Sequence, residues 1–180
     1  MVAAPLEPLL TASEIQRRVS ELAQEISRDY AQAEEIFMIG VLRGAFIFLA
    51  DLSRQIEISR RIDFIALASY DEGATRADAV RLIMDLRSDI RDKHVLIVED
   101  IVDTGHTLAY LIKTLAARHP ASLKTCALVR KPARHEVSVS LDYVGFEIPD
   151  LWVVGYGLDF ADQNRALPYI GVMNPDGTDT

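Results

Sequence analysis

Within nine residues, from Glu99 to Thr107, the chain places three carboxylates, two threonine hydroxyls and a glycine: Glu-Asp-Ile-Val-Asp-Thr-Gly-His-Thr. Its second half, Asp103-Thr104-Gly105-His106-Thr107, opens an apolar stretch with helical character, Leu108 to Arg118. A glycine-containing turn at a helix N-terminus aims backbone N–H groups at an anion, typically a phosphate. Gly105 permits positive φ and close backbone approach, while Thr104 and Thr107 add hydroxyl donors. Glu99, Asp100 and Asp103 would repel a bare phosphate. The set becomes consistent if the acids hold sugar hydroxyls or a divalent cation that bridges to phosphate. Mg²⁺ fits best, because it takes one or two carboxylates together with phosphate oxygens and water. The local chemistry is that of a ribose phosphate with a metal beside it.

Such a site needs a strand to carry the acids. Val95 to Val98 reads as a strand buried on both faces, as in parallel sheets, with Glu99 and Asp100 at its end. Upstream, Thr11-Ala-Ser-Glu14 forms a capping-box pattern opening a helix to Tyr30, with Ile15, Val19, Leu22 and Ile26 on one face. Glu35 to Val41 reads as a buried strand and Gly44 to Ile56 as a helix. Further strands are expected at Arg61 to Tyr70, Val80 to Leu86, Ser122 to Val129, Tyr143 to Phe146 and Trp152 to Tyr156. Strands alternating with helices predict an α/β fold with a mainly parallel, twisted sheet flanked by helices. Ligands of such sheets bind beyond the carboxyl ends of the strands. Leu42-Arg43-Gly44, Ser69-Tyr70, Glu99 to Thr107, Arg130-Lys131 and Gly157 to Arg165 all follow expected strands, so they are expected on one rim. The polar segment Asp71 to Ala79 has the composition of a lid that would exclude water from a reacting centre.

With 180 residues, 49% hydrophobic and 26% charged, the chain is expected to form a single globular domain over residues 1–173, followed by a disordered polar tail, 174–180. Its net charge of −8 argues against a general nucleic-acid binder. The longest apolar run, Gly44 to Ala50, is far below the about 20 residues of a membrane span. The N-terminus lacks the blocks of a secretory signal, and the single cysteine, Cys126, has no intramolecular partner. A cytoplasmic location is expected. His94, His106, His119 and His135 show no zinc-ligand spacing. No GxxxxGK[ST] occurs, which excludes a P-loop protein on pattern.

The segment Val95 to Thr107 resembles the 5-phosphoribosyl-1-diphosphate (PRPP) motif of type I phosphoribosyltransferases: an apolar strand, two acids, two variable residues, then Asp-Thr/Ser-Gly-x-Thr. From Ile36 to Gly171 the chain is similar to hypoxanthine-guanine phosphoribosyltransferases of the short bacterial type. The resemblance implies a type I phosphoribosyltransferase fold, with a small hood built by the N-terminal helix and the C-terminal segment. It also implies Mg²⁺-dependent transfer of a phosphoribosyl group from PRPP to N9 of hypoxanthine or guanine, in a homodimer or homotetramer.

Carried over residue by residue, Leu42-Arg43-Gly44 resembles the family's pyrophosphate loop, which contains an unusual cis peptide. Ser69-Tyr70 matches the start of its mobile lid. Glu99 and Asp100 stand at the positions for ribose hydroxyls and metal, and Asp103 at that of the general base near purine N7. Ile101 lies within the motif. Thr104, Gly105, His106 and Thr107 are implied to hold the 5′-phosphate, His106 being at the variable place. Lys131 matches the lysine that donates to purine O6, with Arg130 a rival one residue earlier. Trp152 takes the place of the aromatic that stacks on the base, usually Phe, and Val153 that of the residue reading the base through its backbone. Asp159 completes the purine segment and is implied to anchor a second Mg²⁺ through water. Arg165 stands where relatives contact pyrophosphate. Two other classes share parts of this pattern. A phosphoribosyltransferase of different base specificity would need a pocket other than that of Lys131 and Trp152. A non-catalytic RNA-binding regulator should show a basic face.

Overall fold

The computed structural model describes residues 6–69 and 80–174. Chain order begins with strand β1 (Pro8–Leu10) and helix α1 (Ala12–Asp29). Thr11 caps α1 in a complete capping box: its hydroxyl accepts from the Glu14 N–H, and the Glu14 carboxylate accepts from the Thr11 N–H. Such a cap is worth about 0.5–2 kcal/mol. Ile15, Val19, Leu22 and Ile26, spaced at three and four residues, are completely buried.

Strand β2 (Ile36–Leu42), helix α2 (Phe46–Gln55), β3 (Arg60–Ser69) and β4 (Val80–Met84) follow. Next come β5 (His94–Val102), α3 (His106–Ala116), β6 (Ser122–Arg130), β7 (Tyr143–Glu147), β8 (Val153–Val154) and β9 (Ile170–Val172). The large sheet has the order β4-β3-β2-β5-β6-β7, parallel except for β4, which runs antiparallel to β3. A small antiparallel sheet, β1-β9-β8, stands apart.

The pleat assigns each central strand residue to one of two cores. Met38, Leu96, Val98, Cys126 and Leu128 join the core under α1 and α2; Ile39, Val95, Ile97 and Ala127 join the core under α3. Strand β5 is thus apolar on both faces because helices cover both. Cys126 is a buried core residue, and burial pushes its thiol well above the ordinary range.

Several details differ from the sequence reading. Glu99 and Asp100 do not end their strand: β5 continues through them to Val102, held by parallel pairing of Ile101 with Val129 and Val102 with Arg130. Helix α2 starts at Phe46, because Arg43 to Ala45 make the turn out of β2. Trp152 precedes β8 rather than belonging to it. The N-terminal part of the small sheet is Pro8–Leu10, not the helix after it; α1 lies in the large core against α2 and β7. Tyr70, the segment Asp71 to Ala79 and the tail beyond Asn174 lie outside the described residues. Among the described residues no helix is long and apolar enough to cross a membrane.

Candidate active site

Three of the five rim segments converge, joined by the β3 residues just before Ser69. Leu42, Arg43 and Gly44 from the end of β2, Leu67 and Ala68 from β3, Glu99 to Ile101 from β5, Thr107 from α3, and Asp159 and Arg165 line one cleft of about 280 Å³. The Leu42–Arg43 peptide is cis. Gly44 follows it for a steric reason: a Cβ here would overlap the Asp100 carboxylate, so only glycine lets the turn and the acid share this space.

Glu99 is buried beside Asp100, and its carboxyl is pushed well above the usual range by burial first and by the Asp100 charge second. Asp100 is pushed up to about 6, chiefly by burial. Backbone N–H groups of Asp100 and Ile101 and the nearby Arg165 oppose that rise, and Asp159 adds to it. Two adjacent carboxyls that resist ionisation together form a place where a divalent cation would relieve the repulsion. Among the described residues no three acidic, histidine or cysteine side chains cluster as a ready-made cage. A donor set of two carboxylates, completed by ligand oxygens and water, suits Mg²⁺.

At the Arg43 end of the cleft, Arg165 donates to the Gly157 carbonyl at 2.8 Å, and its Nη2 lies 2.7 Å from Asp159 Oδ1. Arg43 pairs with Asp162. Beyond Glu99 a second hollow of about 190 Å³ is walled by Asp103, Thr104, Gly105, Thr107 and Leu108. Gly105, at φ 91°, caps α3 in the left-handed region, and a Cβ there would meet the Val137 carbonyl at 2.7 Å. The Thr104 carbonyl accepts from the N–H groups of Glu136 and Val137, which fastens this turn to the neighbouring loop. His106 Nε2 lies 2.9 Å from Glu136 Oε2, which gives the variable position a structural partner on that loop.

Beside the turn, Lys131 donates its backbone N–H to Val102 O, one residue from Asp103. Its side chain is only 7% exposed, with Nζ 3.8 Å from Asp150 Oδ1. Arg134 Nε lies 2.9 Å from Asp103 Oδ1, and Arg134 Nη1 lies 3.6 Å from the same Asp150 oxygen. Arg130 instead pairs with Glu147 at the strand end. Trp152 is 55% exposed and sits edge-on to Phe160, so the chain's only tryptophan is not a core residue. Met173 N–H donates to Trp152 O, which makes Val153, opposite Val172, a non-hydrogen-bonded pair. The Val153 N–H and C=O therefore point away from β9, toward the outer edge of β8.

The phosphoribosyl transferase domain family matches residues 6–161. The hypoxanthine phosphoribosyltransferase of Escherichia coli K12 is 44% identical over 167 residues, covering 92% of this chain and 94% of the relative. The chain belongs to the hypoxanthine-guanine phosphoribosyltransferase family. Among solved structures, a hypoxanthine-guanine phosphoribosyltransferase of Bacillus anthracis superposes with a TM-score of 0.89 at 41% identity, over 94% of this chain and 100% of that one. A Trypanosoma cruzi hypoxanthine phosphoribosyltransferase, studied for its C-terminal region and oligomeric state, gives 0.89 at 42% identity, over 94% and 92%.

Against this phosphoribosyltransferase frame, Arg43, Gly44, Glu99, Asp100, Ile101, Thr107, Asp159 and Arg165 share the main cleft, and Asp103 to Gly105 share the adjoining hollow. Lys131, Trp152 and Val153 line neither, but Lys131 reaches Asp103 through Asp150 and Arg134. Ser69 ends β3, two residues past the cleft-lining Leu67. Arg134, Asp150 and Asp162 were not singled out from the sequence. Arg134 ends a single 3₁₀ turn, Pro132–Arg134, and Asp150 and Asp162 lie in bends and turns, where no periodicity tells which charges meet.

Proposed function

We propose that this protein salvages purines by transferring the phosphoribosyl group of PRPP to N9 of hypoxanthine or guanine, giving IMP or GMP and pyrophosphate. The observation that carries the reading is the Glu99–Asp100 acid pair, set between the Arg43/Arg165 end of the cleft and the Asp103–Thr107 turn. Glu99 and Asp100 would hold Mg²⁺ and the ribose hydroxyls, with Asp159 anchoring a second ion through water. The metal, when bound, supplies positive charge to the departing pyrophosphate.

The rest is done by the chain. Backbone N–H groups of Thr104 to Thr107, with both threonine hydroxyls, hold the 5′-phosphate at the N-terminus of α3. Arg43 and Arg165 offer guanidinium forks to the pyrophosphate oxygens. Trp152 stacks on the purine, and Val153 reads its N1–H and 2-substituent through backbone groups. The Lys131 ammonium donates to O6 and disfavours adenine, whose 6-amino group would face another donor. Asp103 accepts the N7 proton, the ring electrons flow to N9, N9 attacks ribose C1′, and the C1′–oxygen pair leaves with pyrophosphate. Ser69 and Tyr70 begin the lid that excludes water from the oxocarbenium-like state. We assign the protein to the cytoplasm as a homo-oligomer, dimer or tetramer. Phe46, Ile62, Ile83 and Met84 are each exposed apolar side chains, of the kind that association with another subunit would cover.

The test is PRPP-dependent nucleotide formation with hypoxanthine, guanine, xanthine and adenine in turn. Turnover of the first two with little from adenine is expected. Adenine turnover at a comparable rate would remove the Lys131 assignment.

A further inference from the structure

The two arginines at the pyrophosphate end already share an anion. Asp162 Oδ2 accepts from Arg43 Nη2 at 2.8 Å, while Asp162 Oδ1 lies 2.6 Å from that nitrogen. The same Oδ1 accepts from Arg165 Nη2 at 3.0 Å. The Asp162 N–H in turn donates to Asp159 Oδ2 at 2.7 Å, which ties the loop to the other acid beside Arg165. Ala161, Asp162 and Asn164 all adopt positive φ, at 50°, 63° and 69°. Non-glycine residues stay there only when surrounding contacts hold them. The carboxylate is therefore directed at both guanidinium groups by a loop shaped around these contacts.

We propose that Asp162 is an internal counter-ion of the pyrophosphate subsite. It occupies Arg43 and Arg165 in the free protein, PRPP or pyrophosphate displaces it, and it thereby weakens retention of both. This rests on the reading of Arg43 and Arg165 as the pyrophosphate cations. Carboxylate and phosphate oxygens accept from the same guanidinium forks, so the two anions compete for one set of donors. The competition favours the substrate, because Arg43 and Asp162 are 67% and 57% exposed and such pairs are weak in water. Pyrophosphate brings several charges and a metal against one carboxylate. Apparent affinity is nevertheless lowered by the fraction of molecules in which the arginines are already taken. The functional consequence is easier release of the pyrophosphate product.

The experiment is calorimetric titration of the full-length protein with magnesium pyrophosphate. Asp162→Asn keeps the size and suits a left-handed φ; it should bind pyrophosphate about two- to fivefold more tightly, with the KM for hypoxanthine unchanged. Asp162→Glu, which keeps the charge, should stay near wild type. Unchanged or weaker binding in Asp162→Asn would overturn the proposal, as would a pyrophosphate-bound structure with Asp162 still bridging the arginines. Arg165→Gln separates the two levels. If it leaves pyrophosphate affinity unchanged, the arginine assignment fails. If it weakens binding while Asp162→Asn has no effect, only the counter-ion role fails.

Discussion

Replacing Asp100 by Asn should stabilise the metal-free protein above neutral pH, even as it removes a residue proposed for metal binding. The Asp100 carboxyl sits against Gly44, next to buried Glu99, and titrates near 6 in place of the ordinary 3.8. At 1.36 kcal/mol per pKa unit, holding it ionised in the folded state costs about 3 kcal/mol above that range. The sign follows from proton binding. Between 3.8 and 6 the folded state binds more protons than the unfolded chain, so stability from this group is full below the unfolded value. It is lost as pH rises through 6. Asn has no charge to desolvate and lifts the Asp100 contribution to the raised titration of Glu99. For a chain of this size, about 3 kcal/mol corresponds to roughly 6–12 °C in Tm. Thermal unfolding in chelator, from pH 4.5 to 8, should show wild type and Asp100→Asn converging at the acid end. At pH 8 the variant should melt higher. A variant less stable than wild type at pH 8, or two parallel curves, would refute the electrostatic account of this pair.

Asp103→Asn should lower single-turnover nucleotide formation by about 10²–10⁴-fold while PRPP binding, followed by calorimetry, survives; unchanged turnover would remove the general-base role. Lys131→Gln should raise the KM for hypoxanthine and narrow the preference for 6-oxopurines over adenine, because an amide can accept as well as donate. An unaltered base profile would place the selectivity elsewhere. Gly44→Ala forces a methyl group into the Asp100 carboxylate. It should abolish measurable PRPP binding with a folded circular dichroism spectrum retained, and wild-type affinity would show that the turn has more room than its geometry allows.

The parts of this architecture that repeat were legible in the chain. The four apolar residues of α1 declare their burial through a period of 3.6, β5 through an unbroken apolar run, and the capping box marks where α1 begins. The motif from Glu99 to Thr107 was legible because close spacing in sequence forces closeness in space. What was missed depends on pairing between distant segments. Nothing local tells that β5 continues past its two acids, since that extension is held by β6. Pro8–Leu10 becomes a strand only because Ile170–Val172 comes to lie beside it, 160 residues later for the pair Leu10 and Ile170. Arg134 on Asp103, and Asp162 across Arg43 and Arg165, arise from loops whose paths are set by backbone bonds such as those from Glu136 and Val137 to Thr104. Trp152, half outside the fold at the start of β8, followed from the resemblance and not from hydrophobicity, which alone would bury it.

The central claim is group transfer to a purine, driven by departure of pyrophosphate from a cleft built around Glu99 and Asp100. The most direct measurement follows both products, IMP and pyrophosphate, from PRPP and hypoxanthine, with magnesium and then with excess chelator. The account predicts that the two products form in equal amounts and that chelator stops both. Pyrophosphate released without IMP, or transfer that continues undiminished in chelator, would contradict it.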